Sequence, residues 1–83
     1  MKITDVKMKK VETNNRLKAV ASIVFDNEIA ITGIKVIDGQ YGLFVAMPNK
    51  KDEDGKFIDI AHPVNAKMRE LITNTVLDAY NNI

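Results

Sequence analysis

Cysteine is absent from the 83 residues, and histidine occurs once, as His62. The first absence excludes a disulfide framework and thiolate zinc sites, and one imidazole cannot build a histidine-based centre, so neither a metal nor another cofactor is expected. Long apolar runs are also missing. The least polar stretch, residues 19–25, contains Ser22 and falls far short of the roughly 20 residues that span a bilayer, so no membrane partner is expected. No cationic, apolar leader opens the sequence, which makes the cytoplasm the expected location. No Pro/Ser-rich linker divides it, and residues 1–83 are expected to form a single domain with one core. A monomer of this size buries only roughly 60% of the surface its unfolded chain exposes, so a second copy would add usefully to that core.

Signatures of catalysis are scarce. Asp59 and His62 lie three apart, but no serine or cysteine nucleophile motif accompanies them, and a strand leading into a turn does not bring the two together. His62, just before Pro63, reads as part of a structural corner held by hydrogen bonding. The run Asp52-Glu53-Asp54-Gly55 echoes the start of a calcium loop without its spaced ligands or closing glutamate. No glycine-rich phosphate cradle is present. Phe25, Tyr41, Phe44, Phe57 and Tyr80 stand in apolar settings that suit a core better than base stacking. The chain is therefore expected not to be an enzyme and to take no small-molecule substrate.

What the sequence does contain is an uneven charge distribution beneath a net charge of +1. Residues 1–51 carry nine cations against five anions, and residues 52–83 carry three against six. This asymmetry permits a basic surface on a nearly neutral protein.

Residues 3–11 and 17–25 read as two strands joined by a tight turn at Asn14-Asn15, since asparagine tolerates positive φ. That turn sets Val6 opposite Ile23, Met8 opposite Ala21 and Lys10 opposite Ala19, with Leu17 and Phe25 on the same, core-facing side. Alternation then gathers Lys7, Lys9, Arg16 and Lys18 on the outward face, as a solvated sheet surface or as one that contacts phosphates. Asp26-Asn27-Glu28 turns the chain into a strand over residues 29–37, and the loop length, two or three residues, decides which face each isoleucine takes. Residues 41–47 form the next strand. Apolar side chains alternate onto both faces of these two strands, which points to a homodimer that covers the second face or continues the sheet across an edge.

Pro48 ends that strand, residues 49–56 read as an exposed loop with a turn at Asp54-Gly55, and residues 57–60 supply a short last strand. Asn65 is a fitting N-cap for a helix of about four turns. Its apolar stripe is Met68, Leu71, Ile72, Thr75, Val76, Ala79 and Tyr80. The expected fold is thus α+β: an antiparallel hairpin meander of about five strands followed by one amphipathic helix packed on the sheet. Lys67 and Arg69 fall in the first turns of that helix, where free backbone N–H groups and the dipole favour an anion.

The strings GLFVAMP at residues 42–48, DGKF at 54–57 and DIAHPVN at 59–65, with MKITDV at the start and VIDG at 36–39, resemble the SpoVG family, the stage V sporulation protein G group of small bacterial regulators. The resemblance covers nearly the whole chain. It implies a cytoplasmic, dimeric protein that binds DNA or RNA and regulates septation, sporulation and gene expression. The family segment that usually reads close to PSKRTPDGEF carries a Lys-Arg pair resembling a backbone-contacting tip. Lys50 and Lys51 stand at that place, with Asn49 for the serine and Asp52-Glu53 for threonine and proline. Lysine meets a phosphate as a point charge and lacks arginine's bidentate fork. Lys50 and Lys51, with Lys67 and Arg69, are the expected nucleic-acid-binding residues, and Lys7, Lys9, Arg16 and Lys18 form the alternative basic face.

Overall fold

The structure, a computed structural model, describes residues 1–11 and 15–83. Strands β1 (Ile3–Lys10), β2 (Leu17–Phe25), β3 (Ile29–Gly39) and β4 (Gly42–Ala46) form one antiparallel meander in that spatial order. Strands β5 (Asn49–Lys51) and β6 (Phe57–Asp59) pair apart from it as a two-stranded ribbon, and α1 (Ala66–Asn81) follows. The class is α+β, with a sheet of four strands and a ribbon of two where about five strands in one sheet were expected.

β2 is the centre of the fold because its alternation is the cleanest in the chain. Ala19, Ala21, Ile23 and Phe25 are buried, while Val20, Ser22 and Val24 face away and are half-buried. β1 pairs with it in the expected register, Val6 opposite Ile23, Met8 opposite Ala21 and Lys10 opposite Ala19. Asn14, half of the expected turn, lies outside the described residues. Asn15 accepts a hydrogen bond on Oδ1 from the Leu17 backbone N–H (3.0 Å).

The next loop has three residues, since Phe25 pairs with Ile29. Asp26 and Asn27 take left-handed conformations, φ 54° and 56°, which short polar side chains tolerate best after glycine. The loop is tied to the start of β1: Asp26 Oδ1 accepts from the Lys2 N–H (3.0 Å), and Thr4 Oγ1 accepts from the Asn27 N–H (3.0 Å).

Two bulges then change which side chains reach the core. On β3, Ile31 pairs with Ile23 and Ile34 with Ala21, so Thr32 and Gly33 together oppose Ser22, and Gly33 takes φ +79°. The extra residue resets the alternation and puts Ile29, Ile31, Ile34 and Val36 on one side. Strict alternation would have divided them, which is why β3 looks apolar on both faces in sequence. In the structure, Ala30 and Thr32 are exposed. On β2, Leu17 pairs with Ile37 and Ala19 with Val36, leaving Lys18 as the extra residue. Leu17 accordingly follows Ile37 away from the core, where it had been expected to join Phe25.

α1 closes the core. Asn65 caps it as expected, accepting from the Met68 N–H through Oδ1 (2.7 Å), and its 16 residues give a length of about 24 Å. Ile72 and Val76 are buried against the sheet, with Met68, Leu77 and Tyr80 packed alongside. Leu71, expected in the stripe, is 42% exposed, and Leu77 takes its place. The helix turns the row of Ile72, Val76 and Tyr80, spaced four apart, toward the core. Lys10, on the core side at the sheet edge, places Nζ 5.6 Å from the Tyr80 ring centre and joins the first strand to the last turn of the helix.

Gly33→Ala is expected to lower unfolding free energy in a urea titration by about 1–2 kcal/mol, the cost of a left-handed backbone with a Cβ. The space itself is sufficient, since an added Cβ would lie 3.5 Å from Pro48 Cβ. Gly33→Asn should lose less. Asn65→Ala should cost about 1 kcal/mol in the same measurement, and Asn65→Ser should restore most of it.

Candidate nucleic-acid interface

Lys50 and Lys51 lie on a strand, which corrects the expected loop over residues 49–56. Asn49 pairs with Asp59, Lys50 with Ile58 and Lys51 with Phe57. The ribbon forms because Asp52 organises its turn. Its Oδ1 accepts from the backbone N–H of Asp54 and of Lys56, both at 2.9 Å, while its own N–H donates to the Lys56 carbonyl (2.8 Å). Gly55 completes the turn at φ +80° and donates to the Asp52 carbonyl (3.1 Å). The carboxylate of Asp52 thus faces two N–H dipoles within the turn.

Alternation along β5 sends Lys50 and Lys51 to opposite faces of the ribbon. Lys50 shares its face with Ile58, and Lys51 lies over Phe57 with Nζ 5.4 Å from the ring centre. Both lysines are exposed, as are Glu53, Asp54, Lys56 and all three residues of β6. The ribbon is a narrow, two-sided projection with a cation on each side.

The helix start separates its two cations as well. Lys67 and Arg69 are two residues apart, about 200° around the helix axis. Lys67 borders a hollow with Met1, Asn65, Met68 and Leu71, whereas Arg69 Nη2 donates to the Pro63 carbonyl (3.5 Å). That carbonyl also lies 3.1 Å from His62 Nδ1, which gives the corner the hydrogen bond expected of His62. All four cations are exposed, with Lys50 and Lys51 on opposite faces of the ribbon and Lys67 and Arg69 on different sides of the helix.

On the alternative face, the structure brings Lys7 and Lys9 together and adds a residue the sequence reading missed. Lys9 pairs with Val20, and Val20 with Lys35, so Lys9 and Lys35 flank one valine on the outward side of the sheet. Lys7 and Lys9 border a shallow hollow of about 230 Å³ with Val20, Ser22, Thr32 and Gly33. Lys35 could be assigned to this face only once the β3 bulge was known. Arg16 does not join the row. Its Nε donates to the Asp38 carbonyl (2.9 Å) and its own carbonyl accepts from the Asp38 N–H (2.8 Å), which holds it at the end of β3. Lys18 is half-buried in the β2 bulge.

Among the described residues, no group of His, Cys, Asp and Glu side chains is placed to hold a metal ion, and no helix is long and apolar enough to cross a membrane.

The chain was compared with known proteins. A family model described as SpoVG matches residues 1–82. A protein of Acetivibrio thermocellus named "Putative septation protein SpoVG" is 51% identical over 83 residues, covering 100% of this chain and 88% of its own length. The protein of the same name from Clostridium beijerinckii is 50% identical over 80 residues, 96% of this chain and 88% of the relative. That of Macrococcus caseolyticus is 52% identical over 81 residues, 98% of this chain and 70% of the relative. With a match over almost every residue and half of the positions shared, the chain belongs to the SpoVG family.

Proposed function

We propose that this chain is a cytoplasmic, homodimeric regulator that binds the backbone of DNA or RNA and acts in septation. The observation that carries the reading is the exposed β5–β6 ribbon with Lys50 and Lys51 on its two sides. A two-stranded ribbon fits the major groove of a duplex, and a cation on each side of it meets the phosphates on either wall. Twofold symmetry doubles each of these charges, and Lys67 and Arg69 at the helix start add to the attraction. Septation comes from the name shared by the relatives. The role in this reading is one of binding, and His62 Nδ1, 3.1 Å from the Pro63 carbonyl, is in keeping with a structural corner.

A second reading, a protein-interaction module of the division or sporulation machinery, is favoured by the exposed Phe57, Ile58, Ile60 and Val64, at 68%, 45%, 64% and 88%. These apolar side chains lie on or beside the same ribbon.

If a dimer neutralises about six phosphates, the logarithm of its affinity for duplex DNA falls with the logarithm of salt at a slope of about −5. Lys50→Gln/Lys51→Gln removes four cations per dimer and should flatten that slope by about 3 to 4, with the mass in sedimentation unchanged. Unaltered binding by the folded double variant would move the site to Lys7, Lys9 and Lys35, and a flat salt response of the parent protein would favour the protein-interaction reading. Asp52→Ala should speed amide exchange at Asp54 and Lys56, whose N–H groups lose their acceptor, and leave the exchange of β2 unchanged.

A further inference from the structure

The four-stranded sheet buries one face under α1, and its outward face has a chemistry of its own, set by the β3 bulge. Lys9, Val20 and Lys35 stand in one row across β1, β2 and β3, and Lys7 stands opposite Ser22 in the next. Sheet geometry puts Lys7 and Lys9 about 7 Å apart along the strand, and Lys9 and Lys35 about 10 Å apart across two strand spacings. Three cations thus frame Val20 and Ser22. Asp5, the carboxylate that alternates onto this face, pairs with Val24 at the far end, beyond Lys7. Between the cations lies the shallow hollow of about 230 Å³, bordered by Lys7, Lys9, Val20, Ser22, Thr32 and Gly33. It exists because Ser22 is small and Gly33, at the bulge, has no side chain. Its lining is almost wholly apolar, and the aliphatic stems of lysines form such walls while their charged heads stay in water.

We propose that this face docks an acidic segment of a partner protein. One aliphatic side chain of the segment fills the hollow, and carboxylates on either side of it meet Lys7 and Lys9 on β1 and Lys35 on β3. The site is separate from the ribbon described above and uses none of its residues. Charge complementarity selects the occupant. A second copy of this chain laid on the same face would set the three lysines against three lysines. A nucleic acid would satisfy the cations, but its phosphates gain nothing from an apolar hollow, and no aromatic ring borders the hollow to stack a base. An acidic segment with an apolar anchor uses both features. Burying the anchor contributes more than ion pairs at an exposed surface, so the hollow sets the affinity while the lysines set the sign of the partner and the rate of encounter.

The probes are a short fluorescein-labelled peptide of aspartates and glutamates around one central leucine, the same peptide with serine for the leucine, and an unlabelled oligothymidylate. Fluorescence anisotropy should show the leucine peptide bound by the parent chain and the serine peptide bound about tenfold more weakly. Lys7→Gln/Lys9→Gln/Lys35→Gln should weaken the leucine peptide about tenfold or more. Ser22→Leu, which fills the hollow and keeps every cation, should weaken it about as much. Lys50→Gln/Lys51→Gln should leave peptide binding unchanged, so this site and the ribbon stand or fall separately. Titration of the parent with the leucine peptide should shift the amide resonances of Lys9, Val20, Ser22 and Lys35, a readout that needs no variant to fold. Circular dichroism of each variant reports its folding. A parent that binds no leucine peptide, that binds both peptides equally, or whose amide shifts gather on the ribbon would overturn the proposal. So would displacement of the shifts at this face by oligothymidylate in place of the peptide, which would assign the three lysines to nucleic acid.

Discussion

The fold depends on one backbone irregularity, the bulge at Thr32 and Gly33. β3 is the longest strand, and without an inserted residue Ile29 and Ile31 would fall on one side of the sheet and Ile34 and Val36 on the other, where no single helix could cover all four. Taking up one extra residue at a left-handed glycine turns Ile31 and Ile34 to the same side and lets Ile23, Phe25, Ile34 and Val36 form a single buried layer. The cost of the bulge is a lost pairing. The gain is several buried aliphatic side chains, each worth about 1.5–3 kcal/mol, which decides the balance. The same adjustment defines the other face, where Lys35 comes to lie across Val20 from Lys9.

Where local rules act alone, the sequence was legible. The register of β1 on β2 follows from alternation and a tight turn, and the Asn65 cap follows from a side chain that accepts the Met68 N–H. The misreadings share one physical origin. Leu17 and Arg16 were placed by counting in twos through Lys18, and the bulge there broke the count. Leu71 was placed by helical spacing, which fixes which residues form a stripe but leaves the rotation of that stripe to the surface it meets. The surface it meets includes Ile34 and Val36 in the same buried cluster, and they share a side with Ile31 only through the other bulge. The candidate site was legible as residue types and not as directions: the neighbours Lys50 and Lys51 look like one charged pair until Asp52 folds its turn and makes their segment a strand.

That turn also gives physical sense to this chain's departure from the usual family segment. An aspartate at position 52 adds negative charge beside the lysines, yet its carboxylate accepts two backbone N–H groups and acts as the organiser of the ribbon. The acidic side chains that bear on an approaching phosphate are the exposed Glu53 and Asp54 at the tip, beyond the lysines. The ribbon therefore presents cations along its sides and anions at its end.

The helix that buries the core face follows the sheet in the chain. Until Ile72 and Val76 dock, the meander holds Ile23, Phe25, Ile34 and Val36 open to water. A sheet without its helix is thus an apolar surface, and the closure, marked by Lys10 meeting Tyr80, ties β1 to the last turn of α1.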